Sequence, residues 1–175
     1  MYNNLKKVNL MKKSVSILLF LFLIFNVAYA KKSHDGETYT MEQLKGTWSF
    51  SHKDSTDNSA IEINGTNTYY LNGTLISKGN IKIYNSDKTL SSDTNVIMND
   101  EWTIEGNKLI EQAVECQFEY IKKPKDNVIA MMMEMLLKSM CNDQVKVAST
   151  ITDISSEKFT TITIGKTEVF TKVKF

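Results

Sequence analysis

The 175-residue chain contains no arginine, so lysine supplies all 21 of its basic side chains. Bidentate guanidinium recognition of a carboxylate or phosphate is therefore excluded. Histidine is almost as scarce, with only His34 and His52. There is no Gly-x-Ser-x-Gly elbow, no His-Glu-x-x-His pair and no glycine-rich phosphate loop, which removes the usual signatures of hydrolase, zinc-peptidase and nucleotide-binding chemistry. His34 falls in a polar, aperiodic stretch. His52, beside Lys53 and Asp54, reads as a solvated surface residue. Acidic pairs such as Asp100-Glu101 read as turn and edge residues, because no apolar pocket is evident around them to raise a pKa. The expectation is a protein that is not an enzyme and carries no cofactor.

Long apolar runs are also few, and the clearest lies at the start. Lys6, Lys7, Lys12 and Lys13 precede an apolar stretch from Val15 to Val27, which leads to Ala28-Tyr29-Ala30 and then Lys31-Lys32. This order is that of a secretory signal peptide. At roughly 13 residues the apolar stretch is shorter than the roughly 20 a helix needs to span the hydrocarbon core. Cleavage after Ala30 is expected, with residues 1–30 as signal, 31–39 as a flexible mature start and 40–175 as one domain. Met11, followed by Lys12-Lys13, offers an alternative start. The expected location is exported, either periplasmic or secreted, with no membrane span after cleavage.

Removing the signal takes four lysines and no acidic residue, so the mature charge is 17 − 20 = −3. Beyond the short cluster of Lys122, Lys123 and Lys125 no basic run survives, which argues against a nucleic-acid partner. A mature chain of this length buries about two-thirds of its unfolded surface and needs no staple to fold. The only two cysteines, Cys116 and Cys141, both lie in the mature part. In an exported domain such a pair usually closes. A bridge would add about 3 to 4 kcal/mol in the chain-entropy picture, and two buried thiols are the alternative.

What is abundant is strand vocabulary. Thr40 with Gln43 forms a capping-box pair for one short helical turn that stops at Gly46. From Trp48 onward the chain is rich in Thr, Ile, Val, Tyr and Phe, punctuated by Asn64-Gly65, Asn72-Gly73 and Gly106-Asn107, dipeptides suited to hairpin turns. Trp102 and Ile104 alternate with Thr103 and Glu105, and Ile81 and Ile83 with Lys82 and Tyr84. Between Lys108 and Ile121 the alternation places Ile110, Val114, Cys116, Phe118 and Tyr120 on one face, with Glu111, Glu115, Gln117 and Glu119 on the other. Three further strands follow, at 145–154, 158–164 and 167–175. The expectation is an all-β fold, an antiparallel barrel or sandwich of about eight or nine short strands.

One segment breaks this pattern. After Pro124, residues 126–141 are rich in helix formers, with Asp126 or Asn127 as N-cap and Glu134–Lys138 as an i,i+4 pair. A helix of about 15 residues, near 22 Å long, is expected there. Its apolar residues cover most of the wheel, so another surface must cover it. The methionines suggest a soft-metal site, but of Met131, Met132, Met133, Met135 and Met140 beside Cys141 only pairs such as Met132 and Met135 share a face. No metal is expected. The segment reads either as packing or as an adaptable lid.

The short helical turn followed by Leu44-Lys45-Gly46-Thr47-Trp48 resembles the Gly-x-Trp opening of the lipocalin superfamily. The Trp102-to-Leu109 hairpin and the final strand Val169-to-Phe175 extend the likeness to the small exported bacterial lipocalin-like (calycin-type) proteins, over about residues 40 to 175. The resemblance implies a lipocalin-like barrel with the Met-rich helix inserted between strands. It further implies that Trp48, with Gly46 as its motif partner, packs at the closed end beneath a late basic residue, Lys172 or Lys174. It also implies a small apolar ligand, such as a lipid, fatty acid or hydrophobic metabolite. Candidate lining residues are Tyr69, Ile81, Ile83, Trp102, Phe118 and Tyr120 on the wall, with Met132 and Met135 on the lid. A barrel filled by its own side chains, and an envelope interaction module that presents the Met-rich helix to a protein, are the alternatives.

Overall fold

The computed structural model describes residues 37–56, 59–125, 130, 131, 133, 134, 137, 138 and 146–174. The signal segment, His34, Met132, Met135 and Cys141 lie outside the described residues. After the four-residue helix α1 (Met41–Leu44) come eight strands: β1 (Gly46–Thr56), β2 (Ser59–Tyr69), β3 (Thr74–Asn85), β4 (Leu90–Glu105), β5 (Lys108–Lys122), β6 (Lys146–Ile154), β7 (Lys158–Thr163) and β8 (Lys166–Lys172). Each pairs antiparallel with the next, and β8 returns to β1 through Trp48↔Lys172 and Phe50↔Phe170, closing the barrel. Closure leaves the paired part of the sheet with no free edge. The segment expected to form a Met-rich helix is described only at Ala130, Met131, Met133, Glu134, Leu137 and Lys138, all helical, with Met133 and Leu137 buried. The other residues of the expected helix, between Asp126 and Cys141, lie outside the described set.

One end of the barrel is solid. The start of β1, the end of β2, the start of β3, the end of β4 and their counterparts in β5 to β8 all point large side chains into one cluster. It contains Leu44, Trp48, Tyr69, Trp102, Phe159 and Phe170, with Leu75, Leu109 and Ile151. The rings meet edge to face, Trp48 on Phe159 at 4.9 Å and Tyr69 on Trp102 at 4.9 Å, while Phe159 and Phe170 stack at 4.3 Å. Such pairs contribute roughly 0.5 to 1.5 kcal/mol each beyond the area they bury. Helix α1 caps this end. Its first turn is held by the Gln43 carboxamide accepting from the Thr40 N–H at 2.8 Å, and the Trp48 indole donates to the Leu44 carbonyl at 2.6 Å.

The turns follow backbone chemistry, with one exception to the sequence reading. Gly73 (φ 84°) and Gly106 (φ 63°) supply the positive φ of the β2–β3 and β4–β5 connections, as expected of Asn72-Gly73 and Gly106-Asn107. Asn64-Gly65, in contrast, is not a turn but lies in the middle of β2, paired with β1 and β3. A Cβ on Gly65 would come 2.6 Å from Phe50 Cζ and 2.6 Å from the Lys78 carbonyl oxygen. Gly65 therefore serves close packing rather than chain reversal.

A second correction concerns β5. Asn99 faces Glu115, whereas the next residue, Asp100, faces Ala113, so Val114 has no partner and the strand is bulged. A bulge inserts one residue and shifts the side-chain period by one. Cys116, Phe118 and Tyr120 share the inward face as the alternation suggested. Below the bulge the faces exchange: Val114 is 59% exposed and Glu111 turns inward beside Leu109.

The strands differ in length, with consequences for shape. β4 and β5 run for 16 and 15 residues, β7 and β8 for only 6 and 7. Among the described residues β6 pairs with β5 no farther than Gln112↔Lys146. The long strands β1 to β5 therefore continue beyond the closed ring as a curved sheet. Its inward face carries Ile61, Ile63, Ile81 and Ile83, which are opposite one another in register.

Candidate ligand-binding site

With the bulges allowed for, the period of two along each strand traces the inner surface from the register. Three zones follow one another from the closed end outward. The first is the aromatic floor. There Gly46 (φ 111°) brings the chain so close to Lys172 that a Cβ would lie 2.5 Å from its Nζ. Lys172 crosses the indole of Trp48 with Nζ 4.0 Å from the ring centroid and donates to the Lys45 carbonyl. Its burial lowers the ammonium pKa, and the ring face and carbonyl offset that cost. Gly46, Trp48 and Lys172 thus form one packed unit. Lys174 instead pairs with Glu157 at 2.7 Å.

The second zone is polar and was not anticipated. The Tyr69 hydroxyl, at the rim of the floor, donates to Glu111 Oε1 at 2.7 Å and accepts from Asn67 Nδ2 at 3.3 Å. Ser77 donates to Asp100 Oδ2 at 3.3 Å. Glu168 of β8, opposite Thr161, lies at the edge of the group: it is exposed, yet its charge acts on Glu111. Burial pushes the Glu111 carboxyl up to about 7, and the negative charges of Asp100 and Glu168 add to the rise, against the Tyr69 bond. Burial likewise brings Asp100 up to about 6, opposed by its Ser77 bond; desolvation by its surroundings raises the exposed Glu168 too, which His52 and Lys166 partly offset. Among the described residues, no cation is among the charges acting on Asp100 or Glu111. Two oxygens of this zone, Asp100 Oδ1 and Asn67 Oδ1, are buried and without a hydrogen-bond partner.

These positions revise two sequence readings. Asp100 is not an edge residue: it is 7% exposed and points into the barrel. His52 is half-buried on the inward face of β1, opposite Ile63, rather than a solvated surface residue. Glu111 was hidden from the alternation by the bulge at Val114. Glu168 could have been found, since it shares a face with Phe170 two residues on.

The third zone is the apolar sheet beyond the ring. It unites Ile81, Ile83, Phe118 and Tyr120 of the expected wall, with Phe118 and Tyr120 edge to face at 6.1 Å. These four, with Ile61 and Ile63, face inward yet keep part of their surface accessible. The other two expected wall residues, Tyr69 and Trp102, belong to the floor, and the Trp102 indole donates to the Tyr70 and Thr74 carbonyls at 2.9 and 3.1 Å. The charge of Glu134, from the Met-rich segment, acts on the Tyr120 hydroxyl and helps to raise its pKa. That places the segment beside this zone. The hydroxyl itself is buried with no partner.

The inner surface thus passes from a solid aromatic floor through a polar zone to an apolar sheet nearer the mouth. Compared with known proteins, the sequence matches no family model and no curated protein.

Proposed function

We propose that this chain is an exported, lipocalin-like protein that binds a small, largely apolar ligand by burial and catalyses no reaction. The observation that carries this reading is the division of the barrel into a solid aromatic floor and an inward-facing apolar sheet whose isoleucines stay partly accessible. A barrel that served only as a scaffold would gain by filling that space, because unfilled apolar surface forfeits burial and packing energy. The Trp48–Lys172 stack at the closed end supports the lipocalin likeness. In the same reading the N-terminal 30 residues are a cleaved export signal. Cys116 closes a bridge with Cys141, in keeping with the absence of any free cysteine among the described residues. The Met-rich segment forms the lid. Among the described residues no helix is long and apolar enough to cross a membrane.

The test is to purify the mature protein without detergent and extract it for mass spectrometry, alongside titration with a fluorescent fatty-acid probe. A co-purifying lipid or metabolite, or saturable probe binding, is the expected result. Empty protein that also fails to bind the probe would overturn the proposal. A second reading, a protein-interaction module that uses the Met-rich segment, draws on Met131, which is 57% exposed. Crosslinking from that position in cells to one specific protein would favour it.

A further inference from the structure

Buried polar oxygens without partners are rare in folded proteins, and each one costs free energy unless something satisfies it. The polar zone above the floor holds two, Asp100 Oδ1 and Asn67 Oδ1. Both lie on inward-facing positions flanking Leu75 and Ser77 in the register. Beside them stands the half-buried carboxyl of Glu111, with the exposed Glu168 at the edge of the zone, so the zone offers acceptors and negative charge, while its hydroxyl donors are already engaged. Tyr69 gives its proton to Glu111 and Ser77 gives its proton to Asp100.

A metal ion is a poor match for this arrangement. Among the described residues no three His, Cys, Asp or Glu side chains converge closely enough to hold one. The carboxyls approach the zone from different strands, β4, β5 and β8, so a group that suits them carries positive charge and more than one donor. A protonated amine has that character. It supplies three N–H donors and one positive charge, and charge-assisted hydrogen bonds to carboxylates are the stronger kind. Directly outward from the zone the wall turns apolar at Ile63, Ile81 and Phe118, which suits a hydrocarbon chain attached to such a head.

We infer that the polar zone formed by Asp100, Glu111, Glu168 and Asn67 recognises the protonated amine head of an amphipathic ligand, whose hydrocarbon part lies along the isoleucine sheet. This rests on the ligand-binding reading above and specifies the class of ligand. It implies discrimination against fatty acids, because a carboxylate placed there would face two or three like charges.

The experiment compares three probes of equal chain length, decylamine, decan-1-ol and decanoate, by calorimetric titration at pH 8. The proteins are the mature chain and its Asp100→Asn/Glu111→Gln variant. Expected for the unaltered protein is binding of decylamine at least tenfold tighter than decanol, with decanoate weakest. In the variant the amine should lose at least tenfold while decanol is unchanged, which also shows that the variant is folded. Equal binding of all three probes, or a variant that keeps the preference, would overturn the inference and leave the ligand-binding reading standing. If none of the three binds, that reading fails and the inference falls with it.

Discussion

Replacing Glu111 by glutamine should make the protein more stable above neutral pH and leave it nearly unchanged in acid. In the folded state the carboxyl titrates at about 7, against an ordinary glutamate value of 4.5 for an unfolded chain. The folded protein therefore holds the proton more tightly. The native fold binds more protons than the unfolded chain between those two values, so stability is full below the lower one and falls as pH rises through the window. A separation of about 2.5 units corresponds to about 3.4 kcal/mol at most. Part of Glu111 remains accessible inside the barrel, and that solvent reduces the figure to about 1 to 3 kcal/mol. Glutamine keeps an oxygen for the Tyr69 hydroxyl and carries no charge. Urea unfolding followed by tryptophan fluorescence, at pH 4.5 and pH 8, gives the comparison. The difference between variant and unaltered protein isolates Glu111 from Asp100, Glu168 and Tyr69, which face it from β4, β8 and β2. Glu111→Gln should match the unaltered protein at pH 4.5 and exceed it by about 1 to 3 kcal/mol at pH 8. Equal destabilisation at both pH values would refute the reasoning, since it would show that the carboxylate stabilises the fold.

Other substitutions probe the frame around the site. Gly65→Ala places a Cβ against the Phe50 ring and the Lys78 carbonyl and should cost about 1 to 3 kcal/mol or more. Gly79→Ala, where the nearest atom is 3.6 Å away, should be near neutral in the same denaturation assay. Lys172→Met keeps an apolar stem over Trp48 but removes the charge above the ring and the donor to the Lys45 carbonyl. A loss of about 1 to 2 kcal/mol is expected, with reduced salt sensitivity of the tryptophan fluorescence. In the β7–β8 turn, Ile164 (φ 52°) precedes Gly165 (φ 75°), a two-residue turn with both φ values positive. A β-branched side chain is strained there, so Ile164→Asn should raise the midpoint of thermal unfolding by relieving about 1 kcal/mol.

The outer halves of β1 and β5 lie beyond the closed ring, paired with β2 and β4 on one side and, among the described residues, with no strand on the other. Their outward side chains include Lys53, Glu115 and Glu119. Charge at such positions discourages pairing with another chain.

Much of the fold was legible in the residues themselves. The all-β class, the capped turn before Gly46, the hairpins at Asn72-Gly73 and Gly106-Asn107, and the strands before and after the Met-rich segment follow from local rules of period, capping and turn geometry. The aromatic wall residues were legible as inward-facing for the same reason. What the tertiary structure alone decided is which of them fill the floor and which line the space above it, and that acidic groups lie between. Alternation assigns a residue to a face, but it cannot show that one extra residue at Val114 exchanges the faces and brings Glu111 inside. Nor can it show that closing the barrel buries Asp100 near the inward-facing Glu111, because burial of a charge is a property of the closed surface rather than of any segment within it.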